Sequence, residues 1–180
     1  MKFSRGFTLV EVLAVTVLVT ILLGALYAMV NEGLRNWYHI SEQTELRNGA
    51  NLVMQAIQKD LLKAKRSPDG QEAVSVVDKN ELKIVTAWTQ PDNSQPAQPT
   101  SLVVYTIVEE SGKPATIFRY AGPPPSGSAL GMQLMVSDLD FSNSSFELQS
   151  NGRVLVKLSL KGPRKNDFHT SSSFRYVYGS

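Results

Sequence analysis

Phe7-Thr-Leu-Val-Glu-Val-Leu-Ala-Val-Thr-Val-Leu-Val-Thr-Ile-Leu-Leu-Gly-Ala-Leu-Tyr-Ala-Met-Val30 is a run of 24 residues in which Glu11 is the only charged side chain. At about 1.5 Å per residue it reaches roughly 36 Å as an α-helix, enough to cross a hydrocarbon core of about 30 Å. Its many β-branched residues weaken a helix in water. In lipid the backbone must satisfy its own hydrogen bonds, and that favours the helix. Lys2 and Arg5 precede the run and Asn31-Glu32 follow it. The positive flank predicts a single pass through the cytoplasmic membrane with the N-terminus in the cytoplasm.

An ordinary secretory signal fits poorly. Its apolar core is about 7–15 residues long and ends in a small-x-small cleavage site. Here the run is longer, and a cut after Ala28 would put Leu26 where a small residue is needed. A plain signal anchor accounts for the length but not for Glu11. An acidic side chain in hydrocarbon costs on the order of a few kcal/mol and usually has a partner. The simpler alternative is that Glu11 lies at headgroup level and meets water.

Ser4-Arg5-Gly6-Phe7-Thr8-Leu9-Val10-Glu11 resembles the processing signal of type IV prepilins and type II secretion pseudopilins. The shared features are a basic leader, Gly, Phe, Thr, a Glu at fixed spacing and a full apolar span. The resemblance implies that a prepilin peptidase cuts between Gly6 and Phe7 on the cytoplasmic side and then methylates the amine of Phe7. It also makes Glu11 the glutamate that pairs with the amine of a neighbouring subunit during filament assembly. The chemistry is coherent with this. Glycine before the scissile bond lets an extended backbone enter a peptidase site without a side-chain clash. Cleavage creates a cationic amine, and a buried charge left unpaired is strongly unfavourable. Glu11 also lies in the first helical turn, where the helix dipole favours an anion.

Beyond the span no proline occurs before Pro68, so the helix is expected to continue. Leu46, Ala50, Val53, Ile57, Leu61 and Ala64 recur at steps of three or four, an amphipathic stripe suited to docking on a globular domain. Gly33 and Gly49 weaken the helix and allow a bend there. Pro68-Asp-Gly70 ends it, and β patterning follows. Strands are predicted at 73–77, 82–87, 102–108, 116–120, 146–149, 153–160 and 174–178, with loops at 89–100, 122–131 and 161–173. Asn151-Gly152 is a type I′ hairpin signal. The expected fold is α+β: a long N-terminal helix packed on an antiparallel sheet, as in pilins. The expected division is a leader at 1–6, a membrane and filament-core helix at 7–30, an amphipathic helix at 31–66 and a β-rich head at 67–180. Met54 to Ala64 and Val136 to Phe141 are further similar to PilW-like minor pilins and J-type minor pseudopilins.

Little points to catalysis. No cysteine is present, which excludes disulfides, thiolate metal sites and thiol chemistry. His39 and His169 stand outside any metal or nucleophile motif and read as solvated or packing residues. There is no phosphate-binding Gly-rich loop or nucleophile elbow. No cofactor and no metal are expected, and the chain reads as a structural protein. The formal net charge of +2 is matched by Lys2 and Arg5 alone, so no basic face signals nucleic acid. The run Lys63-Ala-Lys65-Arg66 reads as a complement to the helix dipole. The expected partners are other pilins or pseudopilins through the N-terminal helix, the prepilin peptidase, a membrane assembly platform, and the lipid bilayer before assembly. A second function class is a surface binding module, an adhesin or a DNA-capturing tip. Phe168, His169, Phe174, Arg175, Tyr176 and Tyr178 would favour capture if they formed an aromatic and basic patch on one exposed loop, whereas alternating aromatics also suit a strand core.

Overall fold

The computed structural model describes residues 8–92, 95–124, 133–162 and 167–176. Two units follow one another along the chain, 1–42 and 43–180. One helix, α1 (Leu9–Leu61), supplies most of the first and enters the second.

In the second unit the predicted stripe is the buried face of α1. Ala50, Val53, Met54, Ile57 and Leu61 are buried, and Leu46 packs at their edge. The helix ends at Leu61, a turn earlier than Pro68 requires. Ala64, the last residue of the stripe, fills the core from the segment that follows. There the Lys65 amide donates to Val85 O at 3.0 Å, so the basic run leaves the helix and joins the sheet. Gly49 acts through packing: a Cβ placed on it would lie 3.2 Å from Val136 Cγ2, so the missing side chain lets the helix approach the sheet closely.

The sheet has eight strands: β1 (Val74–Val77), β2 (Glu81–Trp88), β3 (Pro99–Val108), β4 (Ala115–Gly122), β5 (Gln133–Leu139), β6 (Ser145–Gln149), β7 (Arg153–Lys161) and β8 (Asp167–Arg175). All pairings are antiparallel. β1 to β5 form a meander, β5 touches β7 through Leu139 and Leu160, and β6 and β8 flank β7. Inward side chains such as Leu82, Ile84, Tyr105, Ile117, Phe146 and Val156 meet the helix stripe and are at most 1% exposed. Apolar burial of this kind stabilises by roughly 25 cal/mol per Å².

One predicted loop contains a strand, and another strand lies where none was predicted. β5 falls between the predicted 122–131 loop and the predicted 146–149 strand, and β8 occupies most of the predicted 161–173 loop, beginning seven residues before the predicted 174–178 strand. β8 is rich in Ser and Thr, so its alternation pairs polar with polar and carries little hydropathy signal. The Asn151-Gly152 turn also differs. Gln149 pairs with Arg153 around three loop residues, Gly152 alone is left-handed (φ 71°), and its amide donates to Gln149 O. This is a three-residue hairpin with glycine at the bulge, not a two-residue type I′ turn. The β1–β2 turn places Asp78 and Lys79 both in the left-handed region (φ 50° and 62°), which costs about 1–2 kcal/mol per residue. Offsetting bonds run from the Phe146 amide to Lys79 O (2.7 Å) and from the Ile107 amide to Asn80 O (2.8 Å).

Because the sheet is covered by the stripe, removing residues 1–34 is expected to leave a soluble, cooperatively folding head. Removing 1–66 exposes the apolar sheet face and should cause aggregation. Size-exclusion chromatography with thermal melts checks both; a folded monomer without the helix would overturn the assignment of the docking face.

Candidate anchoring and assembly segment

Thr8 and Glu11 form a reciprocal cap at the start of α1. The Glu11 amide donates to Thr8 Oγ1 (3.3 Å), while Glu11 Oε2 accepts from the Thr8 amide and hydroxyl, both at 3.2 Å. The Val12 amide donates to Thr8 O at 3.2 Å and begins the helical ladder. This is the capping box, Ser or Thr followed three residues later by an acid or amide. The spacing Thr8-x-x-Glu11 was its signal in the sequence, and sequence reasoning did not use it. The two side chains thus tie off each other's amide, groups that would otherwise be unpaired at the helix end.

The rest of the span satisfies its own polar groups. Thr16 Oγ1 donates to Val12 O (2.7 Å) and Thr20 Oγ1 to Thr16 O (2.8 Å). The hydroxyls are therefore no obstacle to lipid. None of the most apolar stretch is buried inside the protein, and the helix is long and apolar enough to cross a membrane. Seven residues past Val30, the rings of Trp37 and Tyr38 meet edge to face at 5.4 Å and lie largely exposed. Aromatic side chains at that position suit a membrane–water interface.

In the second unit the end of α1 is clamped to the sheet by a charge that sequence reasoning missed. Asp60 is 2% exposed. It accepts from the Tyr105 hydroxyl (2.7 Å), from Arg119 Nε (2.9 Å) and Nη2 (2.8 Å), and from Lys63 Nζ (3.1 Å). Burial works to raise its carboxyl pKa, but the hydrogen bonds of Arg119, Tyr105 and Lys63 outweigh it and hold the pKa below 3.8. Burial, together with the bond to Asp60, pushes the Tyr105 phenol well above its ordinary range. The phenol therefore remains a donor and the carboxylate an acceptor. The sequence clue was an acid within the stripe, three residues after Ile57.

Of the predicted site residues, Glu11 sits in the first turn as described, and Gly6 and Phe7 lie outside the described residues. His169 is exposed on β8, and His39 is an exposed helical residue. Among the described residues no group of three or more His, Asp or Glu could hold a metal ion. The aromatic and basic residues near the C-terminus do not share a face. Phe168, Phe174 and Tyr176 pack against the core, whereas His169 and Arg175 point the other way. Tyr178 lies outside the described residues. The observation that would have favoured nucleic-acid capture is therefore absent from the described residues.

Residues 1–27 match the family described as the prokaryotic N-terminal methylation motif. No curated protein and no solved structure matches the chain. The chain carries a prepilin-type N-terminus, which supports the type IV pilin and pseudopilin family. The α+β architecture of a long helix on an antiparallel sheet is consistent with that fold.

Proposed function

We propose that this chain is a minor subunit of a type IV pilus or pseudopilus, inserted in the cytoplasmic membrane and drawn into an extracytoplasmic filament. The observation that carries the reading is the methylation motif over residues 1–27 joined to a capped, wholly exposed apolar helix. In this reading 1–6 is the leader, 7–30 is the membrane and filament-core helix, 31–66 leads into the head, and 67–180 is the head. The peptidase cuts between Gly6 and Phe7, and Phe7 becomes the methylated N-terminus. Glu11 then faces the amine of a neighbouring subunit while its own cap keeps the helix start ordered. The chain is a substrate of two enzymatic activities and itself a structural part, serving secretion, adhesion, motility or DNA uptake. The apolar helix meets lipid before assembly and other pilins afterwards, with a membrane platform handing it from one to the other.

Protein made in a host with its prepilin peptidase is expected to begin at Phe7 with a single methyl group on the amine. N-terminal sequencing and intact mass check this. A mature chain starting beyond Val30 would show ordinary signal-peptide cleavage and end the pilin reading.

A further inference from the structure

Among the described residues β8 is a long, open sheet edge. Its nine residues pair with β7 along their whole length without a register shift, and among the described residues nothing pairs with its other side. The opposite edge, β1, is four residues long. Natural edges are blunted by shortness, charged side chains, proline, bulges or a covering element, because open backbone N–H and C=O groups recruit another strand. β8, Asp-Phe-His-Thr-Ser-Ser-Ser-Phe-Arg, has no proline, lysine or bulge, and its formal charges stand only at its two ends, Asp167 and Arg175.

Its sequence says what fits there. Read outward from Ser171, the inner-face side chains mirror one another and the ends carry opposite charge: Ser172 mirrors Thr170, Phe174 mirrors Phe168 and Arg175 mirrors Asp167, while on the outer face the small Ser173 mirrors His169 and leaves room for its ring. We infer that β8 pairs antiparallel with β8 of a second copy about a two-fold axis at Ser171, joining two heads through one continuous sheet. On the inner face Phe168, opposite Leu160, meets the copy's Phe174, opposite its Val154, so the apolar row continues across the seam. Both phenylalanines are only half-buried in one copy, and the added strand covers them. On the outer face Arg175 stands directly opposite Arg153 of its own chain. Like charges facing across strands are unfavourable, and among the described residues Arg175 has no carboxylate partner. The copy's Asp167 supplies one, at both ends of the seam. A two-fold contact closes on itself, so it makes pairs and does not propagate. The pairing needs nothing from the N-terminus.

The absence of cysteine makes the register directly testable in the full-length protein, in detergent and in membranes. Directly opposed residues have Cα atoms about 4.5–5.5 Å apart, within disulfide reach. Under mild oxidation Ser171→Cys should give a cross-linked dimer as the main species. His169→Cys should not link to itself, because its copy lies four positions along, about 13 Å away, but should link to Ser173→Cys when the two variants are mixed. Arg175→Asp on the Ser171→Cys background should abolish the dimer, and the exchange Asp167→Arg with Arg175→Asp should restore it. Ser75→Cys on the other edge serves as the control. The pairing is overturned if Ser171→Cys links no better than Ser75→Cys, if His169→Cys links to itself as well as Ser171→Cys does, or if the charge exchange fails to restore linking. Dimers held by the membrane helices alone would give the first of these results.

Discussion

Glu11→Val is expected to leave the protein inserted and cleaved, yet to lower its incorporation into filaments by about tenfold or more. Insertion survives because the span becomes more apolar, and cleavage survives because the peptidase acts on backbone four residues away. Assembly suffers because the cationic amine of the neighbouring subunit enters a water-poor bundle without its anion. The capping box adds a confounding loss, since valine cannot accept from the Thr8 amide and hydroxyl as Glu11 does. Glu11→Gln separates the two. Glutamine at this position still completes a capping box but carries no charge. If pairing with the amine is the role, the glutamine variant fails to incorporate almost as badly as the valine variant. If only the cap matters, it incorporates normally. Quantifying processed, membrane-held and filament pools for the three proteins checks this, and normal incorporation of both variants would remove Glu11 from assembly.

The largest effect on stability is expected at Asp60. Asp60→Ala leaves Arg119 and the fully buried Tyr105 side chain without their acceptor. Breaking a buried pair by removing one partner costs about 3–5 kcal/mol, a large share of the margin of a small domain. Tyr105→Phe removes one donor and should cost about 1–3 kcal/mol. The pH dependence has a definite sign. Asp60 has a folded pKa below its ordinary 3.8, so its contribution is complete well above that value and is lost as the pH falls through the folded pKa. Tyr105 has a folded pKa raised above 10.0; its contribution is complete below pH 10 and declines as the pH rises beyond it, where the unfolded phenol ionises. Chemical denaturation across pH checks both limbs. Asp60→Asn should flatten the acid limb and weaken the alkaline one without abolishing it, because burial is the leading cause of the Tyr105 shift and the Asp60 charge adds to it; an unchanged acid limb would show that other carboxylates govern it.

The anchoring segment was legible in the sequence because its properties are local. An uninterrupted apolar run with one glutamate settles helix and membrane compatibility; the cap was equally local in Thr8-x-x-Glu11 but went unread, and neighbours along the chain supply every hydrogen bond involved. The stripe from Leu46 to Leu61 was legible for a similar reason, since helical periodicity shows which side chains share a face. β5 and β8 were not. The ladder between β4 and β5 shifts register twice, between Ala115 and Ile117 and between Ile117 and Phe118, and Asp138 within β5 takes a left-handed backbone (φ 65°), so no clean alternation survives. β8 is a strand because β7 offers it a row of hydrogen-bonding groups; its serines would suit a loop equally well. Asp60 is the sharpest case. An acid near a helix end reads as a solvated group, and it becomes a buried clamp only when β3 and β4 bring Tyr105 and Arg119 to it from 45 and 59 residues away. Sequence alone therefore determined the apolar helix and the face of it that docks. Tertiary structure decided the sheet edges and the buried charge, because their partners lie far along the chain and act only once it has folded.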